Sequence, residues 1–193
     1  MTITLLFYYN SYSDKLEVQP MTQELIDLKT SILEGRYADA LEIVDELEAM
    51  SKQAILAKIQ SYLLILIIHL IKNQVEQRLT NSWASSIRSA IREIKKHNLK
   101  DNKSSYYLNA DEWQQLLEEE IIESAIADAS DEVLNGKYSR AQLASMLDQP
   151  AIIQTALQFL NLTYSYSAKE LPAIMDEYLS QLPGGEIWLN RGN

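Results

Sequence analysis

An all-α bundle of about six to eight helices around one central apolar helix is the fold class this sequence predicts. Three observations carry it. Apolar residues recur at three- and four-residue spacing along most of the 193 positions. Five glycines and four prolines are too few for an all-β chain, which needs turn residues about every 8–12 positions. The stretch Ser61–Ile71 is apolar on nearly every side, the mark of a helix that others surround.

The elements follow in order. Thr22–Glu34 carries Leu25, Ile26, Leu28 and Leu33 and stops at Gly35, a left-handed cap. Asp39–Met50 aligns Ala40, Leu41, Val44 and Leu47. Gln53–Gln77 is the central helix, with Ile55, Ile59, Leu63, Leu66 and Leu70 on one face. Trp83–His97, N-capped by Ser82, turns Trp83, Ile87, Ile91 and Ile94 inward and Arg88, Arg92, Lys95 and Lys96 elsewhere. Asp111–Leu134 buries Leu117, Ile121, Ile122, Ala125, Ala129 and Val133. Ser139–Leu147 opens on the capping box Ser139/Gln142. Ala151–Leu162 and Ala168–Leu182 complete the helices, the last with the box Ser167/Glu170 and a first-turn Pro172.

Ile3–Tyr9 and Glu186–Asn190 read as short strands or adhering tails. Residues 1–20 form an N-terminal extension, 21–162 the bundle domain, and 163–193 a C-terminal helix and tail packed on it. Leu99–Asn109 and Thr163–Ser167 are polar, tyrosine-rich linkers. Leu33-Glu-Gly-Arg-Tyr37 and Leu134-Asn-Gly-Lys-Tyr138 echo one another, each ending a helix at glycine with a tyrosine over the next start.

Composition excludes several chemistries. Without cysteine there is no disulfide, thiolate zinc site, iron–sulfur cluster or cysteine nucleophile. A formal charge of −10 sets the whole molecule against nucleic acid and anionic membrane. Nucleotide-binding glycine loops, G-x-S-x-G and H-E-x-x-H are absent from the sequence. No cofactor and no metal are expected. Met1–Tyr9 has no basic segment ahead of it, and Ser61–Ile71 falls well short of the roughly 20 residues that cross a bilayer, so a cytoplasmic protein with no membrane partner is expected.

Four strings lie in order on these helices: Leu33-x-Gly35-Arg36-Tyr37, Asp45-Glu46-Leu-Glu48-Ala-Met50, His69-Leu-Ile-Lys72-x-Gln74 and Ser82-Trp83-x-x-Ser86-Ile87-Arg88. In these the chain resembles domain of unknown function family 29, a bacterial family abundant in cyanobacteria. The resemblance is clear over Thr22–His97 and looser over Asp111–Leu147. Asn73 stands where that family usually has tryptophan. The resemblance implies an all-helical domain and no established activity.

Few residues are candidates for chemistry. His69, paired with Glu46 or Glu48 from a neighbouring helix, could serve as a base or ligand. The plainer reading is a buried neutral imidazole, hydrogen-bonded to a carboxylate or carbonyl. A diiron site needs Glu three positions before His, where Leu66 and Ile94 stand before His69 and His97. Lys72–Lys103 carries eight cations against three carboxylates, a backbone-binding patch unless the acidic helix after it neutralises it. Glu118–Glu120 with Glu123 could grip a divalent ion, and as a solvated face they would do nothing. Trp83, Arg88 and Arg92 form a candidate binding set: two arginines one turn apart can clamp a carboxylate or phosphate, while a structural Arg88 would pair with Asp45 or Glu46.

The leading expectation is a non-catalytic interaction module that binds a protein partner or forms a homo-oligomer, since tyrosine and tryptophan cluster near the linkers. The alternatives are a hydrolase or nuclease using His69, Glu46 and Arg88, and a nucleic-acid binder acting through segment 88–103. Nucleic acid is the less favoured partner.

Overall fold

The computed structural model describes residues 22–190. Among the described residues all regular structure is helical, and the one strand-like feature is an isolated antiparallel bridge between Leu99 and Tyr106. The chain divides into two units, one ending at Ala54 and one beginning at Ile55. The expected extension 1–20 and the Ile3–Tyr9 strand or tail lie outside the described residues.

The first unit is a helical hairpin. Its first helix, α1 (22–33), ends where Gly35 takes φ +74°. There Arg36 N–H donates to Ser31 O at 2.8 Å and Gly35 N–H to Ile32 O at 3.2 Å, the paired bonds of a Schellman cap. The chain re-enters helix at once as α2 (Tyr37–Glu76). Here the structure corrects the sequence reading, which broke this helix at Ser51–Lys52. Met50, Lys52 and Gln53 are good helix formers, and one serine without Gly or Pro beside it does not stop a helix. Tyr37 does not cover the helix start, being 67% exposed.

In the second unit α2 supplies the core with Ile59, Leu63, Leu66, Ile67, Leu70 and Ile71, all essentially inaccessible to solvent. The sequence reading enclosed this helix on every side, and the structure does not: Ile65 is 39% exposed, and Ser61 on the same stripe is also open. Polar ties leave its flanks. Gln60 donates to Glu120 (2.6 Å), Lys72 pairs with Glu132 (2.7 Å), and Gln74 Oε1 accepts from Asp148 N–H at 3.0 Å.

Helix α3 (Asn81–Asn98) is capped by Thr80 and not by Ser82; the Thr80 hydroxyl accepts from Trp83 N–H at 3.1 Å. Its Trp83, Ile87, Ile91 and Ile94 are buried as the period requires. The expected Asp111–Leu134 helix is three pieces, α4 (Trp113–Leu116), a π-helical turn (Leu117–Ile121) and α5 (Ile122–Glu132). The wide turn adds a residue to the register, so Leu117, Ile121 and Ile122 all reach the core. After a short 3-10 turn, Gly136 at φ +72° closes the segment. Tyr138 then packs against the core.

Helix α6 (Arg140–Met146) carries the full Ser139/Gln142 capping box. Helix α7 (Gln149–Ser165) starts from Asp148, whose side chain accepts from Ala151 N–H. It runs three residues past the expected end at Leu162 and absorbs part of the expected linker. Helix α8 (Leu171–Ser180) follows the reciprocal Ser167/Glu170 bonds. Glu186–Asn190 is neither strand nor loose tail. Residues Gly185–Leu189 form α9, and Trp188 packs down at 9% exposure.

Candidate functional site

Three places hold the residues the sequence singles out. The first is a groove of about 750 Å³ between α3 and α8. On α3 and its C-cap Leu99, positions 85, 88, 89, 92, 95, 96 and 99 line it, a three-four spacing that makes them one face, offset from the core face of Trp83, Ile87, Ile91 and Ile94. That face carries Arg88, Arg92, Lys95 and Lys96 and no carboxylate. The opposite wall is aliphatic: Ala168, Leu171, Pro172 and Met175. Leu171 and Met175 are buried at its floor.

The expected partner of Arg88, Asp45 or Glu46, is replaced by Asp176 on α8, at 2.7 Å. The expected neutralisation by the acidic helix does not occur at these four cations either. Helix α3 packs on α7 and α8, so its basic side chains meet what those helices present. Arg88 lies 5.7 Å over the Trp188 ring. Lys95 donates to the carbonyl of Thr163, a neutral acceptor, and partial burial pushes its ammonium pKa down. Arg92 and Lys96 reach Glu93 only at 3.7 Å. Arg88 and Arg92 thus share a site, and Trp83 is not part of it.

Trp83 instead belongs to the second place, around His69. The two rings lie 6.5 Å apart at 27°, and Lys72 and Arg78 sit 5.0 and 4.9 Å over the indole. His69 Nδ1 is buried with no hydrogen-bond partner, not the carboxylate or carbonyl bond expected. The helix brings Lys72 one turn away, and Glu132, paired with Lys72 at 2.7 Å, opposes its effect only in part. Burial first, then Lys72, hold the imidazole pKa down to about 4. The sign follows: unfolded His69 takes a proton near pH 6.5, while the folded ring refuses it until about pH 4. Stability therefore falls as pH drops between those values, by up to about 3 kcal/mol, and His69 adds no pH dependence above them. Urea midpoints across this range should fall less for His69→Gln than for the natural chain; parallel curves would remove His69 as the cause.

The third place is the hairpin, where Glu46 lies. Asp27, Thr30, Ser31, Arg36, Asp39, Glu42, Ile43 and Glu46 line a cavity of about 350 Å³ between its helices. The inner side of the hairpin is thus polar and acidic, with Arg36 bound to Glu34 and Asp39. Ile43 is the one apolar side chain in that lining, and six others lie outside it. Leu25, Ile26, Ile32, Leu33, Tyr37 and Leu41 are each at least half exposed, and only Ser31 and Ala40 are buried among described residues 22–54. Glu46, His69 and Arg88 therefore occupy three different surroundings.

The linker aromatics serve the fold. Tyr164 accepts from Trp113 Nε1 at 2.7 Å and donates to Leu108 O at 2.7 Å. Tyr106 packs edge-on against it at 4.7 Å. All three tryptophans are under 10% exposed. The acidic run is dispersed: Glu118 and Glu119 accept from Gln114 and Gln115, Glu120 from Gln60, and Glu123 pairs with Arg140. Among the described residues no cluster of three or more histidines and carboxylates could hold a metal ion.

Fold and site together define an all-α bundle whose α3 presents a cationic face. Residues 27–149 match the family described as Domain of unknown function DUF29, and the chain belongs to that family. The match spans α1 to the start of α7, so α3 lies within it and α8 beyond it. No curated protein and no solved structure matches the chain.

Proposed function

We propose that this protein is a non-catalytic interaction module whose hairpin, residues 22–54, docks a basic amphipathic helix of a protein partner. The observation that carries this is the outer face of the hairpin: six large apolar side chains face solvent, while the cavity between the helices is lined by polar and acidic side chains and Ile43. A helix stripe of this kind normally lies against another element, and an exposed apolar patch rimmed by charge is the common form of an interaction surface. Eight carboxylates against three cations in 22–54 select the partner. Two copies of so acidic a hairpin repel, whereas a basic helix gains on-rate and specificity.

A catalytic role for His69 is disfavoured by its surroundings, a cation one turn away and an enclosed, unbonded Nδ1. Helix α2 is long and apolar enough to pass a composition test for a membrane span, with mean hydropathy 2.0 in its best window. The ties of Gln60, Lys72 and Gln74 to neighbouring segments favour a core helix in a cytoplasmic protein instead.

The test is fluorescence anisotropy with a labelled leucine–lysine amphipathic peptide and its leucine–glutamate counterpart. The basic peptide should bind, the acidic one should not, and Leu33→Asp with Leu41→Asp should weaken binding about tenfold or more. Both positions are open to solvent, so helicity should be retained. Equal binding of both peptides, or indifference to the double variant, contradicts the proposal. A dimer that the double variant dissociates would assign the face to a second copy.

A further inference from the structure

We propose that the α3–α8 groove binds a small anionic amphiphile, a molecule with one carboxylate or phosphate head and an aliphatic body. The site does not depend on the hairpin, since every residue lining it belongs to the second unit. Its two walls differ in kind. The α3 wall offers two guanidinium and two ammonium groups with the hydroxyls of Ser85 and Ser89. The α8 wall offers Leu171, Pro172 and Met175, with Leu99 closing the end of α3. A molecule that satisfies both walls carries negative charge along one side and hydrocarbon along the other.

The charge is incompletely answered by the protein. Asp176 and Glu93 are the carboxylates within reach of these cations, and neither lines the groove. Asp176 is committed to Arg88 at 2.7 Å, while Glu93 stands 3.7 Å from both Arg92 and Lys96. Lys95 is partly desolvated and has only the Thr163 carbonyl to bind. An anion placed between Arg92, Lys95 and Lys96 would give charge-assisted bonds to three donors. A cation excess held here in a chain of charge −10 is a local field for anions, focused by the low-dielectric wall opposite. The volume, about 750 Å³, lies within the rough range of 300–1,000 Å³ typical of small-molecule sites. A nucleic acid would use the cations and leave the buried aliphatic floor without a role.

Isothermal titration of the full chain tests this with four probes below their micelle concentrations: decyl phosphate, decanoate, decyltrimethylammonium and inorganic phosphate. Decyl phosphate and decanoate should bind one to one. Inorganic phosphate should bind about tenfold or more weaker, having no tail for the α8 wall, and decyltrimethylammonium should not bind. Arg92→Ala with Lys96→Ala, both at exposed side chains, should lower decyl phosphate affinity about tenfold and leave the circular dichroism spectrum unchanged. Ala168→Trp, which blocks the groove from an exposed position, should do the same without removing charge. Absence of decyl phosphate binding overturns the proposal, as does equal binding of the cationic amphiphile or indifference to both variants. Anionic phosphatidylglycerol vesicles and a single-stranded oligonucleotide serve as further arms. If either binds through Arg92 and Lys96 while the free amphiphiles do not, the groove belongs to a membrane surface or a nucleic acid, and the proposal fails.

Discussion

Replacing Trp113 by alanine is expected to cost about 3–5 kcal/mol of stability, the usual range for removing a buried aromatic side chain. Trp113 is fully enclosed. Its indole N–H donates at 2.7 Å to the Tyr164 hydroxyl, which also accepts from Asn98 at 3.1 Å. Asn98 in turn donates to Leu108 O and accepts from Leu108 N–H, at 2.8 and 2.7 Å. Burial pushes the Tyr164 pKa up to about 12, so this hydroxyl remains a donor to the Leu108 carbonyl at any ordinary pH. Trp113→Phe separates the two contributions. It keeps most of the packing and loses the indole bond, for about 1 kcal/mol. Urea unfolding followed by circular dichroism measures both, and a cost under 1 kcal/mol for Trp113→Ala would deny the residue its place at the core.

Gly185→Ala is expected to be nearly as damaging for a steric reason. A Cβ at Gly185 would lie 2.2 Å from the backbone oxygen of Leu179 and 2.6 Å from that of Ser180. Neither can swing aside as a side chain would, so α9 must shift. The neighbouring Gly184, at φ +72°, is also tight: a Cβ there would lie 2.7 Å from the Cα of Arg78. Asn73 holds this junction, donating to Arg78 O at 2.9 Å and Pro183 O at 2.8 Å. Forcing atoms into such a contact costs about 1–3 kcal/mol, sometimes more. Trp188 should lose its place beside Arg88 at the same time. Hydrogen exchange over residues 182–190 should rise sharply in the variant, and unchanged protection would show that the junction accommodates a methyl group.

The helices were legible because their signals are local. Gly35 and Gly136 end helices, Ser139 with Gln142 caps one, and the inward sets of α3 and α5 follow simple periodicity. What failed depends on partners distant in sequence. The break read at Ser51–Lys52 vanished because no residue there opposes helix. The strand reading of Glu186–Asn190 failed because a short apolar run has the same composition in either form. Arg88 and Arg92 were found from their spacing, but the wall facing them was not. Leu171, Pro172 and Met175 sit some eighty positions away and look like ordinary helix residues. One signal was available: the 85–88–89–92–95–96–99 face carries no acid, while Glu93 stands off it. The tyrosines of the linkers misled for the opposite reason. Their composition matches an interface, yet Tyr164 and Tyr106 pack against the protein itself. The outward apolar face of the hairpin could not be read from Leu25, Ile26 and Leu33, because periodicity identifies a stripe and not what it faces.

Hydrogen exchange on the full chain with and without the leucine–lysine peptide tests the hairpin reading most directly. New protection should appear along residues 22–41 and leave the α3–α8 groove unchanged. Protection confined to the second unit, or none along the hairpin while the peptide is bound, would contradict it.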